Sequence, residues 1–170
     1  ISGLDDANNG EVYFDNLCFS NFKTTRKTEF RLQNISLIFQ SFNLLKDFSV
    51  LENITLPLIY RGLSKKDARK DALSALDNVD LINFKSSSIS TLSGGEAQRV
   101  GIARALAMKS KIILADEPTG NLDKHTSDII IDNLVDLCKT KKISLIVVSH
   151  DDTVLSKLNI NRKIVDGKFI

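Results

Sequence analysis

Cysteine is scarce, charge is nearly balanced and long apolar runs are missing. Cys18 and Cys138 are the only two cysteines. Their separation gives neither a metal-ligand spacing nor a disulfide framework, so a reducing compartment is expected. The longest apolar runs reach about half of the roughly 20 residues that a membrane-spanning helix needs, so no span is predicted. No signal peptide is predicted either. A net charge of +2 is too small to predict a nucleic-acid surface. There is no internal repeat and no low-complexity segment. The first residue is Ile1 rather than methionine, so the chain reads as a fragment, a processed product or a recombinant piece.

What remains is an ordinary globular composition. Hydrophobic residues make up 42% and charged residues 26% of the 170 positions, which suits one folded domain. Cys138 shares an apolar helical face with Ile130, Ile131, Leu134 and Val135, and is expected to be a small buried hydrophobe.

Residues 11–15 (EVYFD) read as a short strand after the Asn9-Gly10 turn, and 24–32 as a polar, basic helix. Residues 35–39 (ISLIF) form a strand that ends at Gln40. Helical spacing over 50–60 is interrupted by Pro57, which predicts a short or kinked helix. Ser64 to Asp67 fits a capping box and opens a helix to about Val79. Residues 84–92 are Ser-rich and read as a loop. A helix comes next over about 95–108, then an apolar strand at 112–115, of the kind buried on both faces of a parallel sheet. A helix over about 124–139, an apolar strand at 143–148, a short helix and a last strand at 163–165 before the Asp166-Gly167 turn complete the chain.

Strand–helix–strand spacing of this kind requires parallel pairing through crossovers, hence an α/β sheet flanked by helices. Parallel strands share one carboxyl edge, where open α/β sheets place their ligands. Gln40, the pair Asp116-Glu117, and His150 each stand at such a strand end, so an amide, two carboxylates and an imidazole are predicted to converge. Adjacent residues on a strand point to opposite faces. One carboxylate could therefore face a metal and the other a water, an arrangement suited to phosphoanhydride hydrolysis. The plainer readings are a cap or ion pair for Asp116-Glu117 and a structural role for His150. Four apolar residues before the acids and Pro118 after them favour the functional one. At Ser93-Gly94-Gly95 the glycines admit close approach to a helix start that offers free N–H groups to an anion. Two glycines alone would indicate only a loop-to-helix junction.

The wider context of these residues resembles one family. Residues 92–100 read LSGGEAQRV and continue GIARALA, similar to the signature motif of ABC ATPases. Residues 112–123 (IILADEPTGNLD) resemble the Walker B strand, catalytic acid and D-loop; 147–151 (VVSHD) the H-loop; and 39–44 (FQSFNL) the Q-loop. All occur in the family order. The resemblance implies a P-loop NTPase-type, mostly parallel sheet with an inserted helical signature subdomain. It implies a partial ABC ATPase domain over 1–170, with 1–40 and 93–170 in the core and about 41–92 in the helical subdomain that docks on a transmembrane partner. By the same resemblance Asp116 would support Mg²⁺ with Gln40, Glu117 would be the general base, and His150 would contact the γ-phosphate of ATP. Ser93, Gly94, Gly95 and Glu96 would face the nucleotide of a second ATPase subunit, and Asp123 would couple the two sites. Partners would be permease subunits and that second copy, with no nucleic acid, at the cytoplasmic inner face of the membrane. Residues 50–69 are similar to the lipoprotein-releasing, macrolide-exporter and antimicrobial-peptide-resistance group, and the cell-division ABC ATPase is the alternative. A long heptad run or a CxxC, which would suggest a DNA-repair member, does not occur, and the length does not accommodate the two domains of translation members. A decayed remnant that only binds partners is a third reading, against which the intact Asp116, Glu117 and His150 argue.

The chain departs from the family at one point. The G-x-x-x-x-G-K-[ST] loop does not occur in these 170 residues, and the opening resembles the stretch that family members carry after that loop and its helix. Loop amides and lysine hold the phosphates, so the chain by itself is expected to bind MgATP very weakly and not to hydrolyse it. The resemblance also implies that the strand before the loop lies inside the sheet, so its absence would leave backbone groups unpaired. The 170-residue chain alone should therefore be of low stability. Calorimetric or circular-dichroism melting should show a low or broad transition, and a sharp cooperative melt well above room temperature would contradict this.

Overall fold

The computed structural model describes residues 1–166 and 168–170. An antiparallel hairpin of β1 (Tyr13–Phe14) and β2 (Leu17–Cys18) comes first, shorter than the 11–15 strand predicted. The rings of Phe14, Phe19, Phe22 and Phe30 pack around it, with neighbouring centroids 5.1–5.8 Å apart. Arg26 lies 4.0 Å above the Phe22 ring, a cation–π contact. Phe30 belongs to α1 (Thr24–Asn34), which feeds directly into β3 (Ile35–Phe39).

Helix α2 (Val50–Tyr60) begins at a reciprocal capping box between Ser49 and Glu52 and runs through Pro57. Pro57 lies inside the helix, past its first turn, and has no N–H to offer the Asn53 carbonyl, so one main-chain bond of the helix is missing there. Helix α3 (Lys65–Asp77) is capped by Ser64, whose Oγ accepts from the Asp67 amide at 3.1 Å. The Asp67 carboxylate returns to the Ser64 hydroxyl at 2.5 Å. Short 3₁₀ turns occupy part of the predicted Ser-rich loop. Helix α4 (Gly94–Ala107), strand β4 (Ile112–Asp116), helix α5 (Lys124–Lys141), strand β5 (Ser144–Val148) and helix α6 (Asp152–Ser156) come after them. The last strands, β6 (Ile164–Val165) and β7 (Lys168–Phe169), pair antiparallel. Of the predicted turn between them, Gly167 lies outside the described residues.

The central sheet has the order β3-β4-β5 and is parallel throughout, as predicted. Its register sets Phe39 beside Asp116 and Asp116 beside Val148. One face carries Ser36, Ile38, Ile113 and Ala115, all buried, with Leu145 and Val147 half-buried. This face joins α4 and α5 in a continuous apolar cluster that extends to α2 and α3. The other face carries Leu114, Ile146 and Val148, and at β5 it is open, with Val148 59% exposed. The expectation that residues 112–115 are buried on both faces is thus corrected. Ile113 and Ala115 are buried and Ile112 and Leu114 only half-buried, because the crossover helices cover one face.

Leu134 on α5 is fully buried in the cluster. Leu134→Ala should destabilise by about 2–5 kcal/mol, whereas Ile146→Thr on the open face should stay within about 0.5 kcal/mol. Urea unfolding of the two variants beside wild type measures both.

Candidate active site

The register fixes the site. Because Phe39, Asp116 and Val148 are level, the residues one step beyond each strand, Gln40, Glu117 and Ser149, meet at one rim. The Glu117 amide donates to the Val148 carbonyl at 2.9 Å, which ties the start of one loop to the end of the next strand. Glu117 is also left-handed, with φ +45°. Its side chain is therefore aimed by a turn, and the strand alternation expected to separate the two acids does not extend to it. Such a conformation in a non-glycine residue stores strain and is found where surroundings impose it.

What imposes it here is a set of donors to one carboxylate. Glu117 Oε1 is 2.8 Å from His150 Nδ1 and accepts from the His150 amide at 3.1 Å, while Oε2 accepts from the Ser149 hydroxyl at 3.3 Å. The hydrogen bond that His150 makes to the Glu117 carboxylate, and then the charge of that carboxylate, raise the His150 pKa above the ordinary 6.5. Burial works weakly in the other direction. Gln40 closes the other side. A Cβ added to Gly120 would lie 2.8 Å from Gln40 Nε2 and 3.4 Å from the Glu117 Cβ, so a side chain there would push the Gln40 amide out of its present place. Asn121 Nδ2 donates to the Gln40 carbonyl at 2.8 Å. Asp116 ends β4 on the open face of the sheet and is exposed. Among the described residues no group of three or more His, Cys, Asp or Glu side chains could hold a metal.

Residues 118–123 lead from this rim to a second feature. A notch of about 420 Å³ is lined by Ser93, Gly94, Gly95, Arg99, Asn121 and Asp123, among others. Ser93 and Glu96 form a reciprocal capping box at the start of α4. Glu96 Oε2 accepts from both the Ser93 amide and hydroxyl at 2.7 Å, and Ser93 Oγ accepts from the Glu96 amide at 3.3 Å. These bonds lower the Glu96 pKa. A Cβ on Gly95 would lie 2.9 Å from Thr126 Cγ2, so glycine permits α4 to approach the start of α5. Asp123 caps α5 by accepting from the Thr126 amide at 3.0 Å, and its pKa is lowered by hydrogen bonding to Thr126.

The structure therefore brings Gln40, Glu117 and His150 together, sets Asp116 beside them on the open face, and places Ser93, Gly94, Gly95, Glu96 and Asp123 at a separate notch. Sequence reasoning missed Ser149, Gly120 and Asn121, although they lie inside the quoted motifs. It also missed Arg104, whose guanidinium donates to the Phe42 and Asn43 carbonyls at 2.8 and 2.7 Å.

Comparison with known proteins gives concordant results. A family model described as ABC transporter matches residues 1–120. The chain is 42% identical over 168 residues to the lipoprotein-releasing system ATP-binding protein LolD of Pseudoalteromonas translucida (strain TAC 125), covering 99% of this chain and 72% of that protein. A dimeric structure of the ATP-binding cassette MJ0796 in a post-hydrolysis state bound to ADP and Pi superposes with a TM-score of 0.82 at 39% identity, over 92% of this chain and 69% of that one. The cbiO1 protein of Clostridium perfringens, part of the ABC transporter complex cbiONQ, superposes with a TM-score of 0.89 at 27% identity, over 99% and 67%.

The raised His150 pKa has a consequence for pH. A group whose folded pKa is raised contributes stability that is fully present below its unfolded value and is lost as pH rises through the folded value. The contribution of His150 protonation to the Glu117–His150 pair should therefore still be present at pH 6.5 and be lost only as pH rises through the raised His150 value. An NMR titration should find the His150 imidazole protonated beyond its ordinary range, and Glu117→Gln should return it toward 6.5.

Proposed function

The chain belongs to the ABC transporter family, and from that membership we propose that it carries the hydrolytic rim, the signature notch and the docking face of an ATPase subunit that drives export or extraction through a membrane partner. One observation carries the reading: the Glu117 carboxylate, forced into a left-handed turn, is held by Ser149 and His150 beside Gln40 at the carboxyl rim of a parallel sheet. The transporter reading is also the one the relatives support, and the cell-division alternative gains nothing from them.

In this proposal Glu117 is the general base. Its oxygens already accept three hydrogen bonds from Ser149 and His150, so they are oriented before a water arrives. A water in line with a γ-phosphate would attack the phosphorus as its proton passes to Glu117, while the bond from phosphorus to the β–γ bridging oxygen breaks and ADP leaves. His150, whose pKa is raised by its contact with Glu117, would in its protonated form donate to the γ-phosphate from an exposed position. Asp116 and Gln40 are the residues that would hold Mg²⁺. A single carboxylate and an amide fit this ion, which is usually bound by one or two carboxylates, waters and substrate phosphates. Mg²⁺ would supply charge neutralisation on the phosphates. Binding the phosphates themselves calls for the glycine-rich loop that these 170 residues do not include.

The notch gives the second half. Ser93 caps α4 and its amide is taken up by Glu96, but the Gly94 and Gly95 amides stand in the first turn, where a helix has no internal acceptor for them, and with the positive dipole end they would receive the γ-phosphate held by a second ATPase subunit. Glu96 caps that helix, and Asp123 stands where the two sites would communicate. Residues 41–92 would form the docking face. An apolar groove of about 590 Å³, lined by Leu45, Phe48, Leu56, Pro57 and Tyr60 among others, suits a helix of a permease subunit. None of the described helices is long and apolar enough to cross a membrane. The chain would sit peripherally at the cytoplasmic face, on a permease of lipoprotein-releasing type.

In the natural full-length protein Glu117→Gln should lower kcat for ATP hydrolysis by about 10²-fold or more. Retained turnover would sink the assignment. The 170-residue chain alone should show no tight ATP binding by calorimetry, which a saturable high-affinity isotherm would overturn.

A further inference from the structure

The catalytic and docking roles leave one half-buried charge without a task. Arg104 stands in the last turn of α4, and burial lowers its pKa. Among the described residues it takes part in no ion pair. Its fork is spent on two neighbouring backbone carbonyls, Nη1 to Asn43 at 2.7 Å and Nη2 to Phe42 at 2.8 Å. Both residues are left-handed, with φ +61° at Phe42 and +46° at Asn43. A bulky aromatic is an outlier in that region, so Phe42 calls for an external hold there, whereas asparagine enters it more readily.

The segment from Gln40 to Leu45 is pinned at three places. Asn121 holds the Gln40 carbonyl. At the far end Asn53, itself buried, accepts from the Leu45 amide at 2.7 Å and donates to its carbonyl at 3.0 Å. Arg104 is the middle pin, and it acts where the backbone is strained. A planar guanidinium can bridge two carbonyls that a lysine ammonium meets only one at a time.

We propose that Arg104 is a positioning residue for Gln40: it clamps the left-handed Phe42-Asn43 turn to the signature helix and so sets where the Gln40 amide stands relative to Glu117. Asn43 and Arg104 also line the 590 Å³ groove, so an element seated there touches the clamp itself. The proposal rests on the ATPase reading.

The test uses the natural full-length protein. Arg104→Met and Arg104→Lys should each lower kcat by about tenfold to a hundredfold, with KM for ATP held within about twofold. Amide hydrogen exchange over residues 41–45 should accelerate in both. Asn43→Gly placed on Arg104→Met should recover part of the lost kcat, because glycine adopts positive φ without steric cost. A positioning role is overturned if kcat is unchanged, if exchange over 41–45 is unchanged, or if the loss tracks the melting temperature and Asn43→Gly does not restore it. Should Arg104→Met fail to fold, Arg104→Lys decides the matter. Turnover indifferent to Glu117→Gln would overturn the ATPase reading and this role together. Turnover lost in Glu117→Gln but kept in both Arg104 variants overturns this role alone.

Discussion

Parallel register is the constraint on which the rest depends. Three strands that start level also finish level, so Phe39, Asp116 and Val148 deliver their successors to one rim. No antiparallel arrangement of the same apolar runs would do this, since alternate strands would end at opposite edges. The amide of Glu117 bonding to the carbonyl of Val148 continues the ladder one step past the sheet. The rim is thus an extension of main-chain pairing, and its polar side chains inherit the rigidity of the strands below.

Three of the eight left-handed, non-glycine residues among the described ones stand just beyond that rim. Phe42, Asn43 and Glu117 are all left-handed and non-glycine. Each occurs within a few residues of a strand end and each is held by bonds from another element. Residues kept in sparsely populated conformations persist only where the surroundings over-determine them. Here the surroundings are α4 for the first pair and the residues after β5 for the third. The loops that surround the rim are therefore not independent of one another.

Much of this was legible in the sequence, and the reasons are particular. The bounds of β3 agree with expectation because ISLIF is a short apolar run between polar neighbours, a pattern with few alternatives. Helix α5 was evident from the spacing of Ile130, Leu134 and Cys138. Convergence of Gln40, Glu117 and His150 came from parallel pairing. The hairpin β1-β2 was half seen, because a two-residue strand has no period to detect. Arg104 was invisible because its task depends on φ angles 61 and 62 positions away. The open face at β5 was missed for a related reason. Apolar runs indicate what a residue can tolerate, and not how many neighbours arrive to cover it.

The approach of α4 to α5 at Gly95 also matters electrically. It brings two helix beginnings to one notch, and like poles at short range repel. Glu96 and Asp123 sit one at each beginning, both held in the ionised form by the bonds they accept. The pair works as fixed counter-charge that lets two positive ends share a wall. An anion entering the notch meets a field already partly quenched, so its hold there has to come from directed amide contacts more than from bulk attraction.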